Sequence, residues 1–452
     1  MNQPAKSERQ DPPSPGGYGV ADRHRAPSFG EAFRFWLKLG FISFGGPTGQ
    51  IAMMHAELVE KKRWIDNARF LHALNFCMLL PGPEAQQLAI YIGWLLHKTR
   101  GGVFAGALFV IPSIFILWAL SYVYVAFGNI PWIAAIFYGL KPAVLAIVAA
   151  AVIRIGSKAL KNAVMWSLAL AAFVAIYFFH VPFPLIIISA GILGLIGARI
   201  LPQYFRGETA HPLDVGLASN VADRAKPTWL HALKISATWI VIWALPLALT
   251  GIFLGTDHTI FREGIFFSKA AVVTFGGAYA VLPYVSQQAV EHYHWLAAPQ
   301  MLDGLGLAET TPGPLIMVLQ FVGFLGAWNH PGNLPPLASA TLGALVTTWT
   351  TFVPCFLWVF LGAPYIEKLR DVKLLTAALS TVTAAVVGVI LNLGVWFGLH
   401  AIFPASGNVD WFAILLCAAA FVAMLRYKID IIPVIIGSAI LGLSYHFLGG
   451  FR

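Results

Sequence analysis

The chain carries the same stretch twice, and any fold it adopts must accommodate the two copies as related units. Residues 35–94 hold Lys38, Ser43, Phe44, Gly45 and Gly46, then Trp64, then Pro81, Gly82 and Pro83. Adding 231 to each position gives Lys269, Thr274, Phe275, Gly276, Gly277, Trp295, Pro312, Gly313 and Pro314, in one register and without a gap. The second copy spans 266–324. In an apolar chain, an internal duplication points to a secondary transporter, whose substrate site lies where helices broken by Gly and Pro meet at the repeat interface.

The chain is apolar enough for that reading. Of its 452 residues, 58% are hydrophobic and 11% charged, against about 25% charged in a soluble domain. The net charge of +9 sits in loops between apolar spans, so it reads as a cytoplasmic-face excess and not as a nucleic-acid surface. Cys77, Cys355 and Cys417 stand singly inside apolar segments without CxxC spacing. They read as small core residues, and nothing calls for a metal or another cofactor.

Thirteen apolar segments follow one another: six from 33 to 200, six from 263 to 448, and an unmatched one at 230–254. The first two of each set, 33–55 and 67–98, then 263–290 and 299–327, are interrupted. The breaks fall at 44–47 and 81–83, and again at 275–277 and 312–314. Half-helices of about 13–15 residues reach about 20 Å, short of the roughly 30 Å hydrocarbon core. Basic residues cluster at Lys61–Arg63, at Lys98 and Arg100, at Arg154–Lys161 and at Lys368–Lys373, whereas the loops near Asn129, His180, His294 and Asn333 have no Lys or Arg. All basic loops share one side if the broken segments are re-entrant. The expectation is an all-α polytopic membrane protein: two homologous halves as an inverted-topology repeat, each with two re-entrant segments and four spanning helices, joined by one linking helix. Its parts are a disordered cytoplasmic tail (1–28, with no cleaved signal), an N-terminal repeat (29–201), a linker with its helix (202–262) and a C-terminal repeat (263–452).

Several phrases also resemble a known family. Phe44-Gly45-Gly46-Pro47, Pro81-Gly82-Pro83-Glu84-Ala85-Gln86-Gln87-Leu88-Ala89 and Tyr91-Ile92-Gly93-Trp94 are similar to signatures of the chromate ion transporter (CHR) family. So are Phe275-Gly276-Gly277-Ala278-Tyr279 and Thr310-Thr311-Pro312-Gly313-Pro314 in the second half. The resemblance covers nearly all of the chain beyond the tail and linker. It implies the long, two-domain type, which exports chromate across the bacterial inner membrane at the expense of the proton motive force. Sulfate, as cargo or exchange partner, is the alternative, followed by an anion channel or an intramembrane enzyme; no HExxH or GxSxG motif supports the last. The implied partners are the oxyanion, protons and the lipid bilayer, with a homodimer compatible and the N-terminus cytoplasmic.

A divalent oxyanion in a membrane needs cations, donors and positive helix ends. Half-helices starting after Gly46, Pro83, Gly277 and Pro314 supply unpaired N–H groups, and Gly45, Gly46, Gly82, Gly276, Gly277 and Gly313 permit close backbone approach. Lys38 and Lys269 are ionisable groups within apolar spans, where function is the default expectation and snorkelling the competing one. Ser43, Thr274, Thr310 and Thr311 offer hydroxyls beside the breaks, unless they bond the carbonyl one turn back. Glu84, whose counterpart is Leu315, is the candidate proton carrier, with Glu309 second. Lys141 and Arg154 read as interfacial, and His292 and His294 as solvated loop residues.

Overall fold

The computed structural model describes residues 27–44, 46–205, 229–363, 373–403 and 409–449, all of them helical or in short connections. Expectations on Gly45, on the tail through residue 26, on linker residues 206–228 and on the loop with Lys368 and Arg370 lie outside the described residues.

The first half opens with α1 (Phe29–Ile42), closed at its start by a capping box: the Ser28 hydroxyl accepts from the Glu31 N–H while Glu31 accepts from the Ser28 N–H. The chain breaks at Ser43 and restarts as α2 (Gly46–His55), which loosens into a π turn (Ala56–Lys61). Asp66 caps α3 (Asn67–Cys77), and a second break precedes α4 (Glu84–Phe127). Sequence reading separates α4 into two segments around Lys98 and Arg100. The structure keeps them apart: His97 and Lys98 leave helical geometry, Lys98 with φ 57°, and the parts on either side fold back on one another, so that a β-carbon at Gly93 would meet the Gly101 carbonyl and one at Gly106 would meet Ile90. Then come α5 (Pro131–Ala159), α6 (Ala163–Tyr177), α7 (Phe183–Ile200) and the single turn α8 (Pro202–Phe205).

After α9 (Trp229–Phe253) the pattern repeats: α10 (Thr259–Val273), a break, α11 (Ala278–Gln287), a π turn (Gln288–His292), α12 (Ala298–Thr310), a second break and α13 (Val318–Asn329). Next are α14 (Pro336–Gly362), α15 (Lys373–Ile402), α16 (Trp411–Arg426) and α17 (Ile431–Phe447). The duplication extends to single backbone bonds. Trp64 N–H to Leu58 O (2.9 Å) recurs as Trp295 to Ala289 (2.8 Å), and Lys62 to Glu57 (2.9 Å) as Tyr293 to Gln288 (2.8 Å). Arg63 and His294, also 231 apart, share a positive φ of 50° and 52°. Even the edge-to-face pair Phe35–Trp64 (5.4 Å) returns as Phe266–Trp295 (5.6 Å).

The halves interlock. α4 packs on α13 and α14, α5 on α12, α15, α16 and α17, and α15 also against α6 and α7. Small residues set these approaches: a β-carbon at Gly139 of α5 would run into the Ser438 carbonyl and Gly442 of α17, the close backbone contact that replaces hydrophobic drive between helices in lipid.

Among the described residues, six helices are long and apolar enough to cross a membrane: α4, α5, α7, α9, α14 and α15. α6, α16 and α17, with 15, 16 and 17 residues, are shorter than the roughly 20-residue span. α9, the unmatched segment, has no buried residue, yet Trp239 stacks on Phe356 of α14 at 5.0 Å. Its outer face leaves Val241, Leu245, Ile252 and Phe253 exposed, as a face turned to lipid would.

Candidate functional site

The four breaks meet, and they meet crosswise. The Gly82 N–H, in the second break of the first half, donates to Thr274 O in the first break of the second half at 2.7 Å. The Gly313 N–H donates to Ser43 O, also at 2.7 Å. Since 82 and 313, and 43 and 274, are repeat counterparts, the two bonds are one contact generated twice. Both glycines require it sterically as well as conformationally: φ is 117° at Gly82 and 108° at Gly313, a region closed to most side chains. A β-carbon at 82 would meet Cys355 Sγ at 2.9 Å, and one at 313 would fall on the Ser113 hydroxyl. Ser113 and Cys355 each follow a proline, Pro112 in α4 and Pro354 in α14. The Ser113 hydroxyl donates to Pro312 O.

Around this crossing lies a set of enclosed polar atoms. Ser43 Oγ, Gln50 Oε1, Glu84 Oε2, Gln86 Oε1 and Gln87 Oε1 are buried without a hydrogen-bond partner among the described residues. Natural interiors leave few such atoms; with Ser43 and Gln50 at the Gly313 contact and Glu84 and Gln87 near the Gly82 contact, these five mark a place for polar guests. Four of the five are acceptors and call for donors such as water or a proton; Ser43 is the hydroxyl donor. The donor ends of two glutamines brace the backbone: Gln50 Nε2 donates to Gly313 O and to Ser43 O (3.3 Å), and Gln87 Nε2 to Pro81 O (2.6 Å).

Glu84 opens α4 and crosses into the other half, where its Oε1 lies 2.8 Å from the place a β-carbon would take on Gly277. Gly277, with φ 92°, is the N-cap of α11, so the carboxylate stands at a positive helix end. Glu309 is 5% exposed and accepts from the Tyr279 hydroxyl at 2.8 Å. The Arg154 charge also acts on Tyr279 and Glu309, so that residue bears on the site from the end of α5.

The remaining expected residues divide. Gly46 (φ 68°) is buried at the start of α2, and Gly276 (φ 83°) is exposed. The hydroxyls of Thr274, Thr310 and Thr311 each donate one turn back, to Ala270 O (2.6 Å) and to Leu307 O (2.8 and 2.7 Å). Lys38 and Lys269 are exposed on α1 and α10. Lys38 lines a cavity of about 410 Å³ with Glu31, Arg34, Phe35, Glu57, Lys62 and Trp64. There Lys62 lies over the Trp64 ring at 5.0 Å. The Lys61 hydrogen bond holds the Glu57 carboxyl below its usual range, with Lys61, Lys38 and Lys62 adding their charge. A cavity of about 400 Å³ with His180, Gln287, Gln288, Glu291 and His292 lies beside the other π turn. Gln288 is the counterpart of Glu57.

Lys141 departs from the interfacial reading. It sits ten residues inside α5, where its Nζ is 3.7 Å from Asp303 Oδ2, because α12 of the other half packs directly on that helix. Asp303, Gln50, Gln86, Gln87, Ser113 and Tyr279 are polar residues the sequence reading passed over. Asp303 carried a usable signal, an acid within an apolar span. Among the described residues no group of His, Cys, Asp and Glu could hold a metal; Cys77 and Cys355 are buried, as expected.

A chain whose described residues are helical, with duplicated halves, membrane-length helices and broken segments that cross between the halves, is a multi-pass membrane transporter. The chain belongs to the chromate transporter family, whose model matches residues 30–195 and again 262–443. It is 31% identical over 438 residues to a chromate transport protein of Cupriavidus metallidurans, covering 96% of this chain and 97% of the relative. A chromate transport protein of Pseudomonas aeruginosa is 30% identical over 424 residues, 92% of each chain. A probable chromate transport protein of Synechococcus elongatus is 27% identical over 376 residues, 83% of this chain and 86% of the relative. No solved structure matches the chain at significance.

Proposed function

We propose that the protein is a secondary active oxyanion transporter that exports chromate from a bacterial cytoplasm across the inner membrane, driven by the proton motive force. The observation that carries this reading is the reciprocal crossing of the breaks, around which buried polar atoms lack partners. The two halves act as an inverted-topology repeat, with the broken segments as re-entrant hairpins and the site alternately open to either face. Glu84 carries the coupled proton, since its carboxylate stands where an anion at the α11 terminus would stand. Proton and oxyanion therefore affect one another directly. Glu309 is the second candidate. Ser43 and the amides at Gly46 and Gly277 contact the cargo, while Lys38 and Lys269 guide it at symmetric positions outside the centre. Sulfate, a tetrahedral dianion of the same charge, is the alternative cargo.

Everted vesicles test this directly. Labelled chromate is expected to accumulate in them with an imposed proton gradient and to stop doing so with a protonophore. Sulfate accumulation without chromate accumulation would reassign the cargo, and gradient-independent flux of either would favour a channel. Topology is testable in intact cells: single cysteines placed near Lys62 and Lys158 are expected to be shielded from an impermeant thiol reagent, and ones near Asn129, His294 and Asn333 labelled. Labelling at Lys62 would sink the hairpin arrangement of the first segment.

A further inference from the structure

Away from the crossing, a second polar cluster joins the halves. Asp303 of α12 is 4% exposed. Its Oδ2 accepts from the Tyr124 hydroxyl of α4 at 2.9 Å and lies 3.7 Å from Lys141 Nζ of α5. Its Oδ1 is buried with no partner among the described residues. One turn further along α12, Gly306 lies against Leu140 and Val144 of α5, the helix that carries Lys141.

Lys141 is placed unlike the two lysines at the repeat positions. It stands well inside a 29-residue apolar helix, where an ammonium must be paired or wet. Its side chain is 25% exposed and its partner is Asp303. At 3.7 Å the ion pair is longer than a hydrogen bond. The ammonium thus keeps donors for another acceptor, and Asp303 retains Tyr124 when Lys141 turns away. A purely structural tie would be drawn tighter and would leave no carboxylate oxygen orphaned. The repeat offers no copy of the pair, because the counterpart of Asp303 is His72.

We infer that Lys141 is a cargo-binding cation of the pathway between the halves, which a tetrahedral dianion takes over from Asp303 and Asp303 afterwards reclaims. Asp303 competes with the oxyanion, so the lysine releases its cargo instead of trapping it. This assignment rests on the oxyanion-transport reading.

The test uses the full chain in lipid nanodiscs, with binding of labelled chromate and of labelled sulfate measured separately, and transport followed in proteoliposomes. Lys141→Met is expected to weaken binding at least tenfold, while Lys141→Arg keeps it near wild type. Asp303→Asn, which removes the competitor, is expected to tighten binding several-fold while slowing turnover. Should Lys141→Met fail to fold because Asp303 is left unpaired, Lys141→Met with Asp303→Asn removes both charges and is expected to bind as weakly. Unchanged affinity in folded Lys141→Met or in the double variant would overturn the assignment, as would weaker binding in Asp303→Asn. If the wild-type protein binds neither anion, the oxyanion reading falls and this inference with it.

Discussion

The first and second broken regions share a backbone and differ in what lines it. Both have the same two breaks, the same π turn and positive φ at the paired glycines Gly46 and Gly277 and Gly82 and Gly313, and their crossing bonds are interchangeable. Their polar side chains are not. Gln50, Glu84, Gln86 and Gln87 face Val281, Leu315, Met317 and Val318 as repeat counterparts, while Tyr279, Asp303 and Glu309 replace Thr48, His72 and Met78. The scaffold is therefore symmetric and the chemistry is not. Under the alternating-access reading proposed above, a symmetric scaffold suits the exchange of two states, and the unlike linings let one half carry the proton.

Changes to the shared scaffold should have the largest effects. Gly313→Ala combines a left-handed backbone with a collision on the Ser113 hydroxyl, and is expected to cost roughly 3 kcal/mol or more. Gly82→Ala, against the softer Cys355 thiol, should cost less, about 1–2 kcal/mol. Thermal unfolding in detergent compares them, and equal losses would show that the two crossings are more alike than their neighbours suggest.

Next come the carboxylates, where the halves should separate. Glu84→Gln cannot ionise, so proton-driven net export is expected to fall at least tenfold while anion-for-anion exchange survives. Glu309→Gln keeps a partner in Tyr279 and should leave most net export intact. If the two variants behave in reverse, the second half holds the proton. Loss of both activities in Glu84→Gln would make that residue a determinant of structure or cargo orientation.

The smallest effects belong to the outlying lysines. Lys38→Ala and Lys269→Ala should each raise KM a few-fold with kcat retained, and the effect of Lys38→Ala should fade at high salt because its cavity is open and ionic. Complete loss of transport in Lys269→Ala would move that lysine into the central site.

The sequence by itself determined the duplication, the positions of all four breaks, the unmatched helix and the family. Each of these depends on local chemistry, since Gly-Gly and Pro-Gly-Pro interrupt a helix wherever they stand. Thr274 illustrates the limit: its hydroxyl could be read equally as a cargo donor or as a local bond, and the fold uses it for the carbonyl of Ala270. What only the tertiary structure decided is which break meets which. The Gly82–Thr274 contact and the Lys141–Asp303 pair each join residues more than 150 positions apart. No local pattern encodes such a meeting, because it follows from how α4 and α5 pack against α12, α13 and α14. The lysines moved outward for a related reason. An apolar neighbourhood in sequence fixes a residue's helix but not the face it presents, and Lys38 and Lys269 lie on exposed faces while Lys141 stands against the acid of the opposite half.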